Sequence, residues 1–129
     1  MKLLIDTNVF LWTAFEPRRL SARAREALAD TDNELVVNVV IPLELGMAVN
    51  KGRVSLGRTV AGFYVEQLEA LGPATELPIA REHALAAAEL PYSNRDPMDR
   101  ILAAQSIVEG IALVTSDRRI AELGVEVVW

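Results

Sequence analysis

Apolar residues in this chain come in short unbroken runs separated by amphipathic stretches. Leu3-Leu4-Ile5, Leu35-Val36-Val37 and Ile111 to Val114 are the clearest runs, the pattern of strands buried on both faces of a sheet. Thr75-Glu76-Leu77 and Val125 to Val128 read as weaker strands. Val9-Phe10-Leu11-Trp12 opens a short helix that Glu16-Pro17-Arg18-Arg19 breaks. A second helix runs from about Ser21 to Ala29, with Ser21 as its cap and Arg23 and Arg25 on the wet side. Pro42 suits the first turn of a helix from about Ile41 to Asn50, which Lys51-Gly52 closes. Further helices are predicted from Gly57 to Leu71, from Arg81 to Leu90, from Pro97 to Glu109 with Gly110 as the stop, and briefly up to Leu123. Strands alternating with helices predict an α/β fold of three α/β/α layers. Its centre is a parallel sheet of about five strands joined by right-handed crossovers. Residues 1–129 read as one domain without repeats.

The polar residues that end these runs carry the candidate chemistry. Sites in open α/β sheets form beyond the carboxyl ends of the strands. Asp6 ends the first strand, and Asp117 follows the run ending at Val114 across Thr115-Ser116. Asp99 lies in the first turn of the helix that begins at Pro97. Glu44 sits one turn into the helix after the second strand, inside the apolar segment Ile41 to Met47. Four acids from separate segments are thus expected at one sheet edge. Like charges ~4 Å apart repel by roughly 4 kcal/mol at an effective dielectric of ~20, so such a cluster calls for a cation or for protons. Each acid also has a plainer use. Asp6, Asp96 and Asp117 suit caps or turns, Asp99 suits a helix dipole, and Glu44 suits an exposed helix position.

Composition narrows the chemistry. The chain has no cysteine and a single histidine, which excludes disulfides and thiolate sites and leaves hard oxygen donors suited to Mg²⁺ or Mn²⁺. Absence of cysteine fits a reducing cytoplasm, and no apolar run has the length of a membrane span or of a signal peptide. A formal charge of −5 argues against a passive, charge-driven nucleic-acid binder. His83 reads as an ordinary helix surface or boundary residue, and the Phe63/Tyr64 stripe as core or a protein contact.

Leu3-Leu4-Ile5-Asp6-Thr7-Asn8, Pro42-Leu43-Glu44-Leu45, Asp96-Pro97-Met98-Asp99-Arg100-Ile101-Leu102-Ala103-Ala104-Gln105 and Leu113-Val114-Thr115-Ser116-Asp117 resemble, in order, the four acidic motifs of PIN domains. The match is nearest to the VapC-like toxins of toxin–antitoxin pairs. The resemblance spans essentially the whole chain. It implies a PIN-like fold and assigns Asp6, Glu44, Asp99 and Asp117 to the catalytic and metal-binding acids, with Asp96 as a helix cap or an accessory ligand. Thr7, Asn8 and Thr115 would orient these carboxylates. Pro42-Leu43 departs from the bulky aromatic common before the second acid. The activity implied is Mg²⁺- or Mn²⁺-dependent cleavage of RNA, by a homodimer held in check by an antitoxin protein. Arg95, Arg100, Arg118 and Arg119 are candidates for drawing in the RNA backbone or stabilising charge, or else for salt bridges to the neighbouring acids.

Two other classes share part of this pattern. A receiver-like phosphoacceptor domain would need paired acids after the first strand and a lysine opposite, whereas this chain has Asp-Thr-Asn and only Lys2 and Lys51. A non-catalytic interaction module would use the same acids purely as caps.

Overall fold

The computed structural model describes all residues 1–129. Five strands form one sheet in the order β3-β2-β1-β4-β5: β1 Lys2–Ile5, β2 Glu34–Asn38, β3 Thr75–Leu77, β4 Ala112–Val114 and β5 Val127–Val128. Every pairing is parallel, as the unbroken apolar runs require. Seven α-helices accompany them: α1 Thr7–Phe15, α2 Ala22–Ala29, α3 Ile41–Asn50, α4 Val60–Ala70, α5 Arg81–Glu89, α6 Pro97–Glu109 and α7 Arg118–Ala121.

The period-two alternation of a strand sends neighbouring side chains to opposite faces, and the core divides accordingly. Leu3, Ile5, Leu35, Val37 and Val114 face α1 to α4, where Phe10, Ile41, Leu45, Phe63 and Tyr64 meet them. Leu4, Val36 and Leu113 face the other way, onto Leu102 and Ala103 of α6 and Ile120 of α7. The three layers expected from the sequence are therefore present. Phe63 and Tyr64 are core residues, with Phe10 edge-on to one ring and tilted against the other.

Helix ends follow the capping chemistry in the sequence. Ser21 accepts from the amide of Ala24, and Asp96 accepts from the amides of Met98 and Asp99 with Pro97 beside it at the first helical position. Gly110 closes α6 at φ 65°, a left-handed conformation in which a side chain is strained. The short elements are trimmed relative to expectation: α4 begins at Val60, capped by Thr59, and β5 keeps only two residues. No helix is long and apolar enough to cross a membrane.

His83 corrects the sequence reading. It is 2% exposed, wedged between α5 and α6. Its Nδ1 accepts from the amide of Ala80 at 2.9 Å, and its Nε2 lies 2.7 Å from Glu109 Oε1. An amide can only donate, so Nδ1 is unprotonated in this arrangement and Nε2–H donates to Glu109. A polar side chain in an alanine-rich helix thus serves as a clasp between two helices.

Candidate active site

In the order β3-β2-β1-β4-β5 the chain winds outward from β1 in one direction and returns to β4 on the other side. The reversal falls between β1 and β4, and a crevice at such a reversal is where open α/β sheets hold ligands. Asp6 leaves β1 at that point, and Thr115 leaves β4 beside it. The Thr115 hydroxyl donates to Asp6 Oδ2 at 2.6 Å, closing the gap between the two strands. Asp117, two residues on, caps α7 through the amide of Arg119 and pairs with that residue's guanidinium at 3.3 Å.

Glu44 arrives from the next strand over. Its Oε1 accepts from the Thr7 hydroxyl at 2.7 Å, so the residue after Asp6 holds the acid that follows β2. Asp99 stands in the first turn of α6 and accepts from the Asn94 side-chain amide at 3.1 Å. α6 itself is registered on β2 by a buried pair, in which Asn38 donates to Gln105 at 2.6 Å and Gln105 donates on to the Pro78 carbonyl. That bridge holds α6, whose first turn carries Asp99, on the side of the sheet where Asp99 repels Glu44.

The electrostatics reflect convergence. Burial raises the pKa of Asp6, against hydrogen bonds from Thr115 and nearby backbone amides that lower it, and Asp117 adds repulsion. Burial likewise pushes Glu44 up to about 7, against its bond from Thr7, with further repulsion from Asp6, Asp99 and Asp96. Asp99 rises to about 6, again chiefly through burial, with Asn94 opposing and Asp96, Asp117 and Asp6 contributing. Raised, coupled carboxylates in a crevice are a signature of a functional site. Four hard-oxygen groups gathered on one edge of the sheet fit a divalent cation by donor type. As arranged, each carboxylate is turned toward its own donor, and no three stand close enough to share one ion. Joint ligation needs the carboxylates to draw closer together than they stand here.

Other candidate residues sort clearly. Thr7 and Thr115 orient carboxylates as expected. Asn8 does not do so through its side chain, which is exposed, although its amide favours the charged form of Asp6. Asp96 is a helix cap. Arg119 is salt-bridged to Asp117, Arg118 is exposed, and Arg95 lies over the Tyr92 ring at 4.8 Å. Arg100 meets neither of its two sequence-based uses. Its guanidinium donates to the carbonyls of Ala87, Leu90, Pro91 and Asn94 at 2.6–2.9 Å, strapping the α5–α6 loop. No lysine joins the acids: Lys2 opens β1 and pairs with Glu34, and Lys51 caps α3, which removes the receiver-like arrangement.

Asn94 escaped the sequence reading. It is 3% exposed within a polar loop. Its Oδ1 accepts from the Asp96 amide at 2.9 Å, which obliges its NH₂ to point at Asp99. The only signal in the sequence is an Asn two residues before a capping Asp, and that pattern reads equally well as an ordinary turn.

The raised acids predict how stability depends on pH. Between about pH 4 and 7 the folded chain binds protons at Glu44 and Asp99 that the unfolded chain has already released, so stability falls as pH rises through that window. Both groups retain solvent contact. Discounted for that screening, their joint effect is on the order of 2 kcal/mol. In EDTA the protein is expected to melt several degrees higher at pH 5.5 than at pH 8. A calorimetric scan showing the reverse order would refute the burial assigned to these acids.

An α/β sheet with acids at its reversal point defines a fold class found in several hydrolases and signalling domains, and comparison with known proteins specifies it. Residues 3–126 match the PIN domain, and the chain belongs to that family. It is 34% identical over 119 residues to Ribonuclease VapC22 of Mycobacterium tuberculosis, an alignment covering 92% of this chain and 88% of that protein. Its fold is shared with VapBC2 from Rickettsia felis bound to a promoter DNA fragment, with TM-score 0.70 and 16% identity over 98% of this chain and 97% of that one. FitAcB from Neisseria gonorrhoeae gives TM-score 0.65 and 19% identity, over 98% and 96% of the two chains.

Proposed function

We propose that this chain is a single-domain, cytoplasmic, Mg²⁺- or Mn²⁺-dependent endoribonuclease, the toxin of a VapBC-type pair, working as a homodimer and restrained by an antitoxin protein. The observation that carries the reading is the set of carboxylates from four separate segments, Asp6, Glu44, Asp99 and Asp117, whose burial and mutual repulsion raise three of their pKa values. The relative named as a ribonuclease supports the substrate class, and the solved VapBC complexes that share the fold support the antitoxin.

In this reading Asp6 and Asp99 would hold the cation, with Asp117 and Glu44 completing the site and Asp96 as an accessory ligand. The chemistry a divalent cation would supply there is a lowered pKa of bound water and a polarised phosphoryl oxygen. Thr115 and Thr7 each bond one oxygen of Asp6 and Glu44 and fix where these carboxylates stand. Glu44, held by the Thr7 hydroxyl, would take the proton from the attacking water. Arg118 stands exposed at the start of α7, free to meet the RNA backbone.

The test is cleavage of a mixed RNA pool by antitoxin-free protein in Mn²⁺, Mg²⁺ or EDTA. Cutting is expected with either metal and is expected to be lost with the chelator. Cutting that persists in EDTA, or none with any metal, removes the proposal.

A further inference from the structure

Tyr92 is 70% exposed, more than any other large apolar or aromatic side chain of the protein. Its loop is tied down by hydrogen bonds. Arg100 donates to the carbonyls of Leu90 and Pro91 on one side of Tyr92 and of Asn94 on the other. The Arg95 guanidinium lies 4.8 Å from the ring centroid and that of Arg100 5.8 Å. Arg95 stands next to Asp96 in sequence yet forms no ion pair, since the protein's pairs involve Lys2, Arg19, Arg58, His83 and Arg119. An arginine over an open aromatic ring, on a strapped loop, is a preorganised stacking surface.

Its position relative to the acids follows from the chain. Asn94, two residues after Tyr92, bonds to Asp99, and two trans peptide steps place their Cα atoms no more than about 8 Å apart. The ring therefore lies within a nucleotide's reach of the acidic edge. Phe15, another exposed aromatic, is already stacked on Phe63 at the far end of α1 from Asp6. Charge argues the same way. A chain of net charge −5 gains little from long-range attraction to RNA, and base stacking needs none.

We propose that Tyr92 and Arg95 form a nucleobase subsite, in which one base of single-stranded RNA stacks on the Tyr92 ring while Arg95 holds the adjoining phosphate. This rests on the ribonuclease reading and adds a specificity element to it. Stacking of this kind is sequence-tolerant, so the subsite sets which phosphate reaches the acids rather than which base is read.

The experiment measures binding without turnover. On an Asp6→Asn background, affinity for a short fluorescein-labelled single-stranded RNA is followed by anisotropy, with each position in turn made abasic. Tyr92→Ala is expected to raise Kd about tenfold, the lower part of the range for base–aromatic stacking, and Tyr92→Phe is expected to restore it. One abasic position weakens binding to the Tyr92-containing protein by a similar factor and has no further effect on Tyr92→Ala. Unchanged affinity in Tyr92→Ala overturns the subsite, as does an abasic penalty of equal size in both proteins. A shift in sedimentation for Tyr92→Ala also overturns it, by placing the ring in a subunit interface. If the chain with Asp6 intact cleaves RNA while Tyr92 proves indifferent, the subsite alone fails. If that chain neither binds nor cuts RNA, the ribonuclease reading fails with it.

Discussion

Asp99→Asn is expected to lower metal-dependent RNA cleavage by about a thousandfold and, in EDTA at pH 8, to raise the melting temperature. The two effects share one cause. Asp99 is held against burial and against Asp96, Asp117 and Asp6, so its charge destabilises the protein that carries no cation. The substitution keeps an oxygen to accept from Asn94, and Asp96 still caps α6. It forfeits a favourable helix-dipole interaction of about 0.3–1 kcal/mol. Relief of burial and repulsion, discounted for solvent, is on the order of 1–2 kcal/mol, so a net gain of a few degrees remains. A stabilised, inactive variant is the pattern of a functional residue maintained at a stability cost. Parallel cleavage assays and melts check it. Undiminished cutting would place Asp99 outside the site, and a lower melting temperature would make it a structural acid of the helix start.

Arg100→Met is expected to lower the melting temperature by about 10 °C and to weaken Mn²⁺ binding on the order of tenfold. Methionine keeps the apolar stem and removes the donors to four carbonyls. Hydrogen bonds from a charged group are worth about 1.5–3 kcal/mol each when buried. This loop admits water, so the net loss is about 2–3 kcal/mol, or several degrees per kcal/mol for a domain of this size. The metal effect arises through Asn94. Once its carbonyl is released, the amide that aims Asp99 is less well fixed, and outer contacts of this kind are worth 10–100-fold in metal affinity. Calorimetric titration separates the outcomes. A variant that melts as the parent does would show the strap to be a surface feature. One that melts lower but binds Mn²⁺ equally well would uncouple the loop from Asp99.

Much of this was legible in the residues because it depends on local chemistry. Parallel, doubly covered strands require unbroken apolar runs, and Leu3-Leu4-Ile5 and Leu35-Val36-Val37 have no other comfortable use. Pro97 after Asp96 and Gly110 after Glu109 bound α6 at its observed ends, since a cap, a first-turn proline and a left-handed stop each have few alternatives. The four acids were legible because each follows a strand or opens a helix on the same edge.

The roles of polar residues that act across the chain were not legible. His83 looks like a surface residue in Arg81-Glu82-His83-Ala84, and only the packing of α5 on α6 brings Glu109 to it. Arg100 among acids looks like an ion-pair former, whereas the fold offers it four carbonyls of a neighbouring loop. Asn94 looks like a turn residue until Asp99 is seen beside it.

Hydrophobic period and capping are short-range and leave their mark in consecutive residues, so the chain's composition and order settled the layers, the sheet direction and the edge on which the acids stand. Hydrogen-bond partners 26 to 109 residues apart, such as His83 with Glu109 and Thr115 with Asp6, leave no such mark. Which donor holds which carboxylate, and that the acids do not stand as a ready-made group of three, was decided by tertiary packing. Side-chain orientation depends on what long-range contacts bring alongside.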